Sequence, residues 1–510
     1  MPAPKRGLLG GARQEDGAAG ESLRRLEREH DAEGAVEAAA VGDGLWLCLV
    51  SAAWPLELVV RGRLALPGSE PVPGALGVAR GRIAAVGERD APLEAEQELD
   101  VGEALVLPGI VDVHVHTRSA ADEGIESATR AAAAGGVTTI VDMPYDASGP
   151  IADPDAFAAK VADVKREALV DVALWATVPP RGPLEHVAEL VAAGACAFKL
   201  STYETDPVRF PRIPDDQLYA AFDAIASAGG LAGVHSENDE LVRALIAAER
   251  GAGRVDPLAH ARSRPPVAET EAIARCLEFA RATGVRLHLC HVTVGRGLEL
   301  ARRGRSDGVD VSAETCSHYL VLNESELERR GGEAKINPPL RPAAEVEALW
   351  RALADGELKI VSSDHVGWPA ERKRGDDVFA LAAGAPGLEL ELALLHDALL
   401  ARGLPLALLG RVLAEGPAQR FGLWPAKGAL RPGSDADLVV LDPEARWVVD
   451  PAKMVTAAGW SPYAGRELRG RVRRVLARGE TVFHDGELTA GPGRGAFVRP
   501  ASTAVAVAHV

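Results

Sequence analysis

Basic charge is in short supply in this sequence: 56 Lys and Arg stand against 73 Asp and Glu, for a formal net charge of −17. Nucleic acids and anionic membrane surfaces select for basic patches, so neither is expected as a partner. Cysteine is scarce too. Cys48, Cys196, Cys276, Cys290 and Cys316 are odd in number, scattered and without a C-x-x-C pair. Neither a disulfide framework nor a cysteine zinc site follows, and a reducing, cytoplasmic setting is the expectation. Long apolar runs are missing as well. The stretch "LWLCLVSAAWPLELVV" at 45–60 is broken by Pro55 and Glu57. It falls short of the roughly 18–20 apolar residues that span a bilayer, and the polar, Ala/Gly-rich residues before it are wrong for a secretory signal.

What remains is an acidic chain of ordinary globular composition, 47% hydrophobic and 25% charged. At 510 residues it exceeds the size at which one core keeps growing, which predicts one large domain and a smaller one. Residues 1–44 mix Gly, Ala and charge and read as a flexible extension, with room for a short helix near 21–40. Short β-like pieces follow ("LELVVRGRLAL", "ALGVARGRIAAVGER", "ALVLPG"), and the same texture returns in "GSDADLVVLD" and "RVRRVLARGETVFHDGEL". Segments 45–106 and 427–497 are therefore expected to build one small β-sandwich domain from both terminal segments, with 498–510 as a tail.

Between them, over 107–426, apolar strands alternate with helical stretches. The strands are "IVDVHVH", "VTTIVDM", "VDVALWATV", "ACAFKL", "LAGVH", "RLHLCH", "VDVSAET" and "LKIVSSD"; the helical stretches include 152–166, 183–193, 215–228, 267–283 and 343–354. Eight buried strands joined by helices predict an α/β fold, a (β/α)8 barrel of the TIM type. An open doubly wound sheet is the alternative, but no G-x-G-x-x-G marks a first strand-to-helix turn.

Barrel active sites lie at the carboxyl ends of the strands. There the sequence places His114 and His116 on strand one, Lys199 on strand four, His235 on five, His291 on six and Asp364 on eight. Each has an ordinary structural explanation alone, as His288 and His365 do. Lys199 is harder to explain away: it is one of nine lysines, flanked by Ala197, Phe198 and Leu200, and lysine is almost never buried without a partner. Four imidazoles, a carboxylate and a lysine at one mouth make an N/O environment suited to zinc and other divalent ions. A buried amine deprotonates readily. It can then take up carbon dioxide as a carbamate, an anionic ligand with two oxygens able to bridge two cations. Cys290 is expected to face away from His291, and Cys316 to be partly exposed.

The order H-x-H, Lys, His, His, Asp resembles the amidohydrolase superfamily, in its cyclic-amide branch of hydantoinases, dihydropyrimidinases, allantoinases and dihydroorotases. The stretches "LPGIVDVHVH", "GGVTTIVDMP", "AETCSHYL", "KINPPLR" and "SPYAGRELRG" carry the same resemblance, which runs from about residue 57 to 497. It implies two divalent metal ions, with His114, His116 and Asp364 holding one and His235 and His291 the other. Carboxylated Lys199 bridges them beside a hydroxide, and Asp364 acts as general base and then acid. The implied reaction is hydrolysis of a small cyclic amide to an N-carbamoyl-type acid, and the implied assembly a homodimer or homotetramer. An inactive scaffold relative would have eroded ligands, whereas all six positions are filled here.

The ring is less constrained. Arg118 completes H-x-H-x-R, which resembles the carboxylate clamp of dihydroorotases, and Asn337 in "INPPLR" resembles a substrate contact. Asp146, where dihydroorotases have a substrate-binding asparagine, and Trp368, where they have a histidine, depart from that group. A hydantoinase-type asparagine is also replaced, by Pro386.

Overall fold

The computed structural model describes residues 37–41, 45–49, 55–120 and 123–501. The eight expected strands all form: β1 Ile110–His116, β2 Val137–Asp142, β3 Asp171–Ala176, β4 Ala197–Ser201, β5 Leu231–His235, β6 Arg286–Leu289, β7 Val311–Cys316 and β8 Ile360–Ser362. Each pairs in parallel with the next in sequence order, from β1–β2 round to β7–β8. The ring closes through a continuation of β8, His365–Val366, which pairs in parallel with β1. Strands buried on both faces need not alternate apolar with polar, which is why these segments read as near-continuous apolar runs.

Two apolar clusters separate the faces. Ala173 and Trp175 of β3, Ala197 of β4 and Leu231 of β5 fill the interior of the barrel. Leu174, Phe198, Leu200 and Val234 face the surrounding helices. Lys199 shares its parity with Ala197 and so points inward. Gly233 is demanded here, because a Cβ would come within 2.4 Å of the Trp175 indole.

The terminal segments build a separate ten-stranded sheet. Its N-terminal strands meet the C-terminal ones where Ala95–Pro108 pairs antiparallel with Leu438–Val448. Val60, Leu76, Ile83 and Val106 from one end of the chain pack with Leu438 and Leu476 from the other in a shared core. Glu37–Val41, inside the stretch expected to be a flexible extension or a helix, is instead a strand paired with Leu45–Leu49; residues 1–36 lie outside the described residues. The expected tail from 498 is also corrected at its start. Val498 donates to Val172 O of β3 and Ala501 to Gly422 O, so the chain stays held to the barrel through 501.

An ionic cluster joins the two parts at the foot of β3. Lys427 lies 2.6 Å from Asp171, 2.9 Å from Asp435 and 2.8 Å from Asp437, and Arg478 also binds Asp171.

Candidate active site

At the carboxyl ends of the strands, His114, His116, Lys199, His235, His291 and Asp364 line one cleft. The register of β1 shifts between Asp112 and Val115, a bulge of the kind that re-aims side chains beside functional sites. His114, inside the shift, and His116, just beyond it, have rings 5.4 Å apart. Asp364 occupies the break between the two pieces of β8 and adopts φ +46°. Its Oδ1 lies 3.2 Å from His114 Nε2 and 3.4 Å from His116 Nε2. His291 follows the end of β6 at φ +37°. Two non-glycine residues in the left-handed region at one rim mark strain retained at a functional site.

Outer partners fix which nitrogen each ring turns inward. Glu314 takes His114 Nδ1 at 2.5 Å and Ser119 Oγ meets His116 Nδ1 at 3.1 Å, so both rings present Nε2. Glu237 takes His235 Nε2 at 2.8 Å, which leaves Nδ1 facing His291 Nε2 at 3.0 Å. Glu237 is anchored in turn by Arg264 at 2.6 Å. Among the described residues, His291 Nδ1 is buried without a partner. Lys199 Nζ lies 3.3 Å from His114 Nε2 and, among the described residues, has no carboxylate at ion-pair distance. The contrast with buried Lys160, held by Asp142 at 2.8 Å and Asp146 at 2.6 Å, is direct.

Electrostatics agree with a ligand set. Burial pulls His116 down to about 4 against the opposing pull of Asp364. His235 is lowered by burial in spite of Glu237, and His291 falls well below the usual range through burial and its cationic neighbours. Imidazoles that stay neutral at pH 7 keep their lone pairs for metal. Asp364 is raised by burial, but the adjacent His114 and His116 rings outweigh that and hold it at about 2. Inward lone pairs, an ionised carboxylate, an orphaned buried nitrogen and an uncompensated amine fit divalent cations.

Asn337 lines the cleft, and its Oδ1 is buried without a partner among the described residues. Trp368 lines it too, its Nε1 donating to Ala383 O at 2.9 Å. Arg118, expected as a carboxylate clamp, and Asp146, at the position of a substrate-binding asparagine, are not brought there. β1 ends at His116, and Arg118 turns away to bind Asp163 at 2.5 Å and Glu167 at 2.8 Å. Asp146 is spent on Lys160. Two thiols also differ from expectation. Cys316 is fully buried, and Cys290, lying just past the end of β6, joins the barrel interior near His114 and Glu314. His288 contacts Glu314 at 3.3 Å and His365 contacts Glu123 at 2.7 Å; neither lines the cleft.

Residues that the sequence did not single out complete the site. Glu314 had a legible signal, a carboxylate in the middle of the β7 strand pattern. Arg209 and Phe210 line the cleft from the loop after β4, where no periodicity marks them.

Residues 105–482 match the amidohydrolase family. The chain is similar to an allantoinase of Rubrobacter xylanophilus, 40% identical over 448 residues, covering 87% of this chain and 98% of that protein. It is 35% identical to an L-hydantoinase of Paenarthrobacter aurescens, over 82% of this chain and 92% of that one. Among solved structures it superposes on an L-hydantoinase from Arthrobacter aurescens with TM-score 0.84 and 33% identity, covering 87% of this chain and all of that one. A metal-suited cleft on this barrel, matched across nearly the whole length of cyclic-amide hydrolases, leads to one assignment. The chain belongs to the amidohydrolase family and is a hydrolase of its cyclic-amide branch.

Proposed function

We propose that the chain is an allantoinase, opening a hydantoin ring that carries a ureido group at C5. The observation that carries this reading is Asn337 Oδ1, an acceptor left buried and, among the described residues, unpaired in the wall of the cleft. Arg209, whose Nη1 donates to Ser119 Oγ at 3.0 Å, lines the same cleft and offers further donors. A ureido group supplies N–H donors for the one and a carbonyl acceptor for the other. An apolar substituent would leave Asn337 unsatisfied, which costs about 1–3 kcal/mol. Relatives named allantoinase, from Rubrobacter xylanophilus, Solibacter usitatus and Deinococcus radiodurans, support the same choice.

Two divalent ions, with zinc the first candidate, would be held by His114, His116 and Asp364 on one side and His235 and His291 on the other. Lys199, as its carbon-dioxide-derived carbamate, would serve both. Such ions supply Lewis acidity for a ring carbonyl and make hydroxide available near neutral pH. The remaining work falls to the protein. Asp364, ionised at pH 7, takes the proton of the attacking water and returns it to the departing ring nitrogen. Glu314, Ser119 and Glu237 keep the imidazoles oriented. Phe210 and Trp368 wall the cleft against bulk water. The product is an open-chain N-carbamoyl-type acid. Four buried free thiols support the cytoplasmic setting. No helix of the described residues is long and apolar enough to cross a membrane.

A dihydroorotase assignment loses its support with Arg118 bound to Asp163 and Glu167. A hydantoinase acting on aromatic C5 substituents is the second reading, favoured by the Trp368 and Phe210 walls. Comparing kcat/KM for allantoin, 5-benzylhydantoin, dihydrouracil and dihydroorotate separates them. Allantoin is expected to lead by about tenfold or more; preference for 5-benzylhydantoin would overturn the proposal.

A further inference from the structure

Beside the cleft opens a second cavity of about 750 Å³, which shares Ser119, Thr205, Arg209, Asn337, Trp368 and Ala383 with it. In an acidic protein its wall is rich in cationic side chains: among the described residues Arg209, Arg250, Arg264, Lys335 and Arg372 line it, against one carboxylate, Asp206. That carboxylate is engaged in its own turn, accepting from the backbone N–H groups of Val208 at 3.0 Å and Arg209 at 2.7 Å. Arg264 is neutralised by Glu237 at 2.6 Å and Arg250 by Asp377 at 2.9 Å.

Two permanent cations, Arg209 and Arg372, are left over, beside Lys335, which burial and the Arg264 charge pull down to about 7. Among the described residues none of Arg209, Lys335 and Arg372 has a carboxylate at ion-pair distance. Arg209 donates to a serine hydroxyl and Lys335 to the Leu381 carbonyl at 2.5 Å. The guanidinium carbons of Arg372 and Arg209 lie 5.2 Å and 5.8 Å from the centroid of the Trp368 ring. Both guanidinium groups line the cavity, and burial together with the Arg372 charge disfavours the cationic form of Arg209, so an anion that reached both would be held strongly.

We propose that Arg209 and Arg372, set against Trp368, form a carboxylate subsite that receives the acid produced by ring opening. The inference rests on the cyclic-amide hydrolase activity and does not need allantoin to be the ring. Substrate ring and product differ in one respect that a cationic wall can read: the ring is neutral and the opened chain carries a carboxylate. The subsite therefore favours product over substrate at the mouth of the cleft and gives the new anion a place to go as it leaves. A carboxylate carried on the ring's C5 substituent has the same chemistry, so the test has two arms.

The full-length, metal-loaded protein is titrated by calorimetry with N-carbamoylglycine and with its neutral amide at constant ionic strength. The acid is expected to bind about tenfold or more tightly than the amide, and Arg372→Gln to erase most of that preference while Arg372→Lys restores part of it. Metal content and melting temperature of each variant establish that the fold and the metal centre are intact. In the second arm, kcat/KM for hydantoin-5-acetate is compared with that for hydantoin-5-acetamide. A drop in that ratio in Arg372→Gln assigns the subsite to substituent carboxylates as well; an unchanged ratio with weakened N-carbamoylglycine binding assigns it to product alone. An acid-over-amide preference that survives in both Arg372→Gln and Arg209→Gln would overturn the proposal, since the carboxylate would then be held elsewhere. The calorimetric arm needs no turnover, so it stands apart from any failure of the allantoin assignment.

Discussion

His114 meets Glu314 through Nδ1 and Asp364 and Lys199 through Nε2. A ring held this firmly keeps one tautomer and one orientation toward a metal. Glu314→Gln is expected to lower metal affinity or turnover by about 10- to 100-fold, read by metal analysis and kcat/KM together. Lys199 makes the sharper test. Lys160 and Lys427 are buried with two and three carboxylates respectively, whereas Lys199 has none among the described residues. Lys199→Ala is expected to abolish metal-dependent hydrolysis, and near-normal metal content and turnover in that variant would refute the bridging role. Glu389 gives a pH signature of a different kind. Burial raises its carboxyl from 4.5 to about 7, against hydrogen bonds from the Val455 and Thr456 N–H groups. Because the folded value is the higher one, its stabilising contribution is complete below about 4.5 and lost as pH rises through 7. The thermal midpoint is expected to fall between pH 5 and 8 by a few degrees more than in Glu389→Gln; parallel profiles would exclude the effect. At this scale the six candidate ligands were legible because histidine, lysine and aspartate at strand ends are costly to bury idle. Arg118 was misread because it presumed that β1 ran past His116, and the chain turns there instead.

The strands β1 to β8 were readable element by element, since burial on both faces leaves apolar runs no helix of that length would show. The helical stretches named from the sequence formed as well, at Pro154–Glu167, Val187–Ala193, Asp215–Ser227, Pro266–Thr283 and Ala343–Ala354. Ile125–Gly135, with alanine at five of its eleven positions, and Gly295–Ser306, rich in glycine and arginine, were not among them. The bulge in β1 and the gap in β8 leave no sequence signature, although they aim His114, His116 and Asp364 into the cleft. Between elements, Lys427 joins β3 to the terminal sheet through Asp171, Asp435 and Asp437. Lys427→Ala would leave three carboxylates facing one another and is expected to destabilise the protein by about 3–5 kcal/mol. A lowered melting temperature, with a metal content per folded chain that is unchanged, checks it.

Across the whole molecule, N-terminal and C-terminal strands meet in one sheet while the middle closes into the barrel, an arrangement visible in the matching β texture of residues 45–106 and 427–497. The ring's identity was not visible in the same way. Arg209, Asn337, Trp368 and Gly384 reach the cleft from three loops far apart in sequence, and none carries a periodic signal. Those loops also create the cationic vestibule of an otherwise acidic protein, a contrast that net charge conceals. The central claim is that six side chains of the barrel rim hold a pair of divalent ions. Metal quantification of the purified wild-type chain by inductively coupled plasma mass spectrometry tests it most directly. Two divalent ions per chain are expected; a chain that turns over its cyclic amide at full rate with no bound divalent ion would contradict the account.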